Sequence, residues 1–176
     1  LEKKEYKKTL EDLRAKLLLI HPFTANLALY LELTPTVDTR LKTAATDGSH
    51  IFFQIEFLKK LSAEMIIFVL AHEVWHCVAG HLVRKLNRDP KLWNYAADHE
   101  VNALLQRDGF NVPSDAVFIP AWDELSAEKV YQYLLDDGTE IIKECFQFDQ
   151  HIANCTFIDN SQHIFFADSI LFREKH

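Results

Sequence analysis

Leu10, Leu13, Leu17 and Ile20 recur at helical spacing with charges between them, which predicts a first helix from Glu2 to Leu19. His21-Pro22-Phe23 ends it, because the residue before a proline is pushed out of the helical region. The run "TANLALYLEL" fits either helix or strand; its Ala and Leu content favours helix, closed by Pro35. "RLKTAATDGSHIFFQ" reads as two short strands about an Asp47-Gly48 turn, and "IEFLKKLS" as a short helix or turn. Ser62 then caps a long helix expected over Ala63–Lys85, apolar nearly all round from Met65 to Leu70 and therefore buried. "NRDP" stops it, and a further helix is predicted over Lys91–Arg107, stopped by Gly109. A loop with two prolines leads to a short helix capped by Ser126, with Gly138 past its end. The last forty residues show no clear period. The expected fold class is α+β, mainly helical with a small sheet whose edge strand precedes the long helix. Residues 1–138 are expected to form the domain, and 139–176 an extension packed on it.

That long helix contains "AHEVWHCVAGH" (71–81), three histidines and a glutamate in a segment destined for the core. Buried polar groups cost several kcal/mol unless paired or ligated, so the run asks for a chemical reason. His72 and His76 are four apart and lie one above the other, offset by roughly 40°. Two imidazoles so placed can share one metal ion, with Glu73 beside it as general base for a water, the logic of HExxH. The competing reading is two hydrogen-bonded core histidines and an ion-paired glutamate.

Zinc, expected at one per chain, needs a third protein ligand. His81 lies nine residues after His72, roughly 180° around a continuous helix, so it is expected at the surface or behind the ligands. The next helix, "LWNYAADHEVNALL", offers Asp98, His99 and Glu100. Asp98 shares its side with Val101 and Leu105 and is favoured; Glu100, roughly 200° away, is the alternative. His99 points toward Tyr95, Asn102 and Gln106, where a structural or surface role is favoured over help to an oxyanion.

Composition narrows the setting. The chain has 176 residues, 48% of them hydrophobic, enough for a real core. A net charge of −7 argues against a nucleic-acid partner, and "EKKEYKK" reads as a solvated helix face. Cys77, Cys145 and Cys155 form no CxxC pair and read as reduced thiols of a cytoplasmic protein. No apolar run approaches the ~18 residues of a membrane span. The chain opens on Leu rather than Met and so reads as a piece of something longer.

"TAATDG", "HEVWHCVAGH" and "LWNYAADHEVN", in that order between Thr43 and Pro113, resemble the metallopeptidase domain of bacterial proteins that often carry a von Willebrand A-like domain. The resemblance implies a zincin-like fold, zinc on His72, His76 and Asp98, and Glu73 as catalytic acid/base. It also implies a cytoplasmic bacterial setting, with a MoxR-type ATPase or a von Willebrand A-like partner. Where that family has an aromatic residue such as Tyr after the ligand Asp, this chain has His99, and "FDQH" at 148–151 is only faintly like a family motif. The expected activity is peptide hydrolysis, with Ile51, Phe52 and Phe53 as an edge strand that aligns an extended peptide. The rival readings are a zinc hydrolase of another substrate and a zinc-binding interaction module without activity.

Overall fold

The computed structural model describes residues 1–136 and the backbone of residues 156–158 and 164–168. Gly138, Cys145, Cys155, the 148–151 motif and the rest of the proposed 139–176 extension lie outside the described residues. The described residues divide into two compact units, 1–82 with the strands at 156–158 and 164–168, and 83–136. Helices predominate over a small sheet, which makes the fold α+β. No described helix is long and apolar enough to cross a membrane.

In the first unit, α1 (Glu2–Ile20) buries Leu10 and Leu17, while Ile20 at its end is exposed. Pro22 does more than stop α1. It occupies the first turn of α2 (Pro22–Ala28), where its missing N–H costs nothing. The helix expected over residues 24–33 therefore ends early. Its last two residues, Glu32 and Leu33, belong instead to strand β1 (Glu32–Thr36), with Pro35 inside the strand. A proline is tolerated there because β1 is an edge strand with one neighbour, β3 (His50–Gln54), to which it runs parallel.

Strand β2 (Ala44–Thr46) pairs antiparallel with the other side of β3, so the Asp-Gly hairpin forms where the sequence places it. Gly48 takes φ +89°, a conformation that side chains resist. The Asp47 carboxylate accepts the Ser49 and His50 N–H groups. Beyond β2 come β5 (Ile164–Asp168) and β4 (Thr156–Ile158), giving the order β1-β3-β2-β5-β4. The strand that precedes the long helix is thus interior. Ile51, Phe52 and Phe53 are paired with β1 on one side and β2 on the other, and no edge is left there for a peptide. The expectation of an aligning edge strand at these residues is corrected.

Gln54 caps the short α3 (Ile55–Leu58) through Oε1, which accepts the Phe57 N–H. Ser62 caps α4 (Ala63–Val78), its Oγ accepting the Met65 N–H. Ile67, Phe68, Val69, Leu70 and Val74 are all buried, and α4 packs on α1, α2, β2 and β3. Burial of such side chains contributes roughly 1.5–3 kcal/mol each. This is the force that holds the polar end of the helix in place. The helix does not run on to Lys85. It ends at Ala79, Gly80 turns left-handed at φ +67°, and α5 (His81–Arg84) starts afresh.

In the second unit, Asp89 caps α6 (Pro90–Arg107) by accepting the Lys91 and Leu92 N–H groups, and Gly109 at φ +85° follows its end. α7 (Ala127–Asp136) packs on α6. Arg88 lies over the Trp93 and Tyr131 rings, 4.9 and 5.6 Å from their centroids.

Candidate metal centre

Helical spacing puts His72 and His76 on one face of α4, and the apolar turns before them carry that face inward. Both are almost wholly buried, and Glu73 between them is completely so. The two rings meet edge to face, with Nε2 of one 2.9 Å from Nε2 of the other. Phe68, one turn earlier, packs against the His72 ring.

The break at Gly80 changes the place of His81. A continuous α4 would carry it to the far side. The left-handed turn instead brings it back, buried, with Nδ1 2.9 Å from Nδ1 of His76 and the rings again edge to face. Of the two places expected for His81, the structure shows the one behind the ligands and not the surface, and the sequence signal for the turn that brings it there is Gly80 itself. His76 is therefore engaged at both ring nitrogens, Nε2 toward His72 and Nδ1 toward His81.

On α6, Asp98, His99 and Glu100 lie next to one another in sequence but meet different surroundings. Asp98 is buried, and its Oδ2 accepts a hydrogen bond from Asn94 Nδ2 one turn earlier at 3.3 Å. Glu100 is engaged elsewhere. Its Oε2 receives Arg84 at 3.0 Å and the first N–H of α7, from Ala127, at 2.9 Å. Arg84 also meets Glu128 at 2.6 Å, and this contact holds the Glu128 carboxyl down at about 2.

His99 is not on an exposed polar face. It is fully buried, stacked on Phe118 and edge-on to Trp122. The Ile119 N–H donates to its Nδ1, so Nε2 carries the proton and donates to the Trp122 carbonyl at 2.9 Å. With both nitrogens committed to the 119–122 loop, His99 holds that loop and is not available to an oxyanion. Burial pushes its pKa down and keeps the ring neutral. Asn102, one turn on, ties the same loop through the Val117 carbonyl.

His72, His76 and Asp98 form a buried group that could hold a metal ion, one ligand atom of each lying within 4.8 Å of the others. Two imidazole nitrogens and a carboxylate oxygen are donors that zinc accepts, and a site with three protein ligands leaves a position open. The donor set fits such an ion on chemistry, number and burial alike.

A family model described as "putative metallopeptidase domain" matches residues 5–154. No curated protein and no solved structure matches the chain.

Proposed function

Since the chain belongs to the putative metallopeptidase domain family, we propose that it is a zinc-dependent peptidase of zincin-like design. In this reading His72, His76 and Asp98 hold the ion and Glu73 is the general base and acid. The observation that carries the reading is the buried His72–His76–Asp98 group, with Glu73 on the same helix immediately after the first ligand. When bound, zinc acidifies a water molecule and polarises the substrate carbonyl.

The rest of the chemistry belongs to the protein. Burial keeps bulk water from the Glu73 carboxylate. Glu73 takes a proton from the attacking water at one carboxylate oxygen while the water oxygen bonds to the carbonyl carbon. The same carboxyl then gives that proton to the leaving nitrogen as the C–N bond breaks. One base thus serves both halves of the hydrolysis.

The test separates the base from the ligands. Glu73→Gln is nearly isosteric and should keep zinc and fold. A general acid/base contributes ~10²–10⁴-fold in rate, so cleavage of a peptide library should fall by at least that range, with zinc content measured on the same samples. A Glu73→Gln protein that cleaves as fast as the parent would exclude this role. A parent that holds zinc but cleaves no peptide would favour a non-peptide substrate or a zinc-binding interaction module.

A further inference from the structure

We propose that His81 is the positioning residue for the ligand His76, accepting its Nδ1–H and so committing Nε2 to a metal. The inference rests on the metal reading above, and its geometry lies wholly within the first unit. His76 Nδ1 and His81 Nδ1 stand 2.9 Å apart, and both rings are buried. Between two imidazole nitrogens at that distance one must carry the proton and the other the lone pair. A metal at His76 uses the Nε2 lone pair, so the His76 proton sits on Nδ1 and points at His81. His81 must then accept at Nδ1 and carry its own proton on Nε2.

A hydrogen bond to the second nitrogen of a ligating histidine fixes its ring orientation and raises its basicity; losing such a partner typically costs about 10–100-fold in metal affinity. In many sites a carboxylate or backbone carbonyl plays this part. Here the chain uses a second histidine, and the fold makes the contact possible only by ending α4 at Ala79 and turning back through Gly80. The ring orientation of the ligand is therefore coupled to a backbone turn four residues away.

The experiment uses zinc itself as the probe, with two readouts. Zinc affinity is measured by competition with a chelator for the parent, His81→Ala and His81→Asn, each checked for fold by circular dichroism. His81→Ala should bind about 10–100-fold more weakly. His81→Asn, whose side-chain amide can put an acceptor near the place of Nδ1, should recover most of that loss. In the zinc-loaded parent, nitrogen-15 imidazole spectra should show His76 protonated at Nδ1 and His81 protonated at Nε2 only. A His81 ring protonated at Nδ1 would overturn the proposal even if every variant failed to fold. Parent-like affinity in His81→Ala, or no recovery in a folded His81→Asn, would overturn it as well. A parent that binds no zinc at all would instead overturn the metal reading on which the proposal rests, so the two failures are distinguishable.

Discussion

Asp98 and Glu100 stand two positions apart on α6, and their surroundings differ in kind. Glu100 meets a cation that the chain supplies, the Arg84 guanidinium at 3.0 Å, and caps α7 with the same oxygen. Asp98 is grouped with two imidazoles, so that the three side chains offer metal ligands and none of them is a fixed positive charge. A half-buried carboxylate with its own arginine is complete as structure. A buried carboxylate gathered with two ligand nitrogens suits a cation from outside. Of the two acidic residues, the one to suspect of chemistry is the one whose neighbours are also ligands.

Loss of each carboxylate in turn should have the largest effect. Asp98→Ala should weaken zinc binding by more than about 100-fold, beyond the ~10–100-fold typical of a partner behind the ligands. Glu100→Ala should stay within a few-fold of the parent in the same chelator competition. The reverse order would move the third ligand to Glu100.

A smaller effect is expected on the structural side. Arg84→Met removes two partly exposed ion pairs at once and should cost on the order of 1 kcal/mol in urea unfolding, with zinc affinity unchanged. A tenfold loss of zinc affinity would show that Glu100 and its arginine serve the metal site as well as the fold.

The smallest effect is a pH dependence. Arg84 lowers the Glu128 carboxyl from an ordinary value of 4.5 to about 2. A carboxylate depressed in the folded state stabilises the fold above its unfolded value and loses that contribution as pH falls through the folded one. The stability gap between parent and Glu128→Gln should therefore be full at neutral pH and shrink between about pH 4.5 and pH 2. A gap that stays constant across that window would show that the pair contributes nothing through charge.

Much of the candidate site was legible because it is written locally. His72, Glu73 and His76 follow from helical spacing, and Ser62 and Asp47-Gly48 announce their cap and turn in a few residues. What was not legible depends on the fold beyond the local sequence. The apolar pattern continues past Gly80 through Leu82 and Val83, and a mid-helix glycine costs only ~1 kcal/mol, so nothing local compelled a break. The break nevertheless decides where His81 goes. "TANLALYLEL" leans to helix on its Ala and Leu content, and only the pairing of Glu32 and Leu33 with β3 reveals a strand that tolerates Pro35 at a sheet edge. That same pairing makes β3 interior, a fact of strand order that no window of sequence contains. The structural role expected for His99 holds, but its burial is not legible, for a related reason. Its face of α6 is polar in sequence, but a loop some twenty residues on covers it.

The proposed peptidase depends on His72, His76 and Asp98 holding a single zinc ion. The most direct measurement is zinc bound per chain, by atomic absorption after equilibration at a fixed free zinc concentration, for the parent, His72→Ala and His76→Ala. About one ion per chain in the parent and almost none in either variant is the predicted result, since the two remaining ligands make a poor site. Parent-level zinc in both variants would contradict the account.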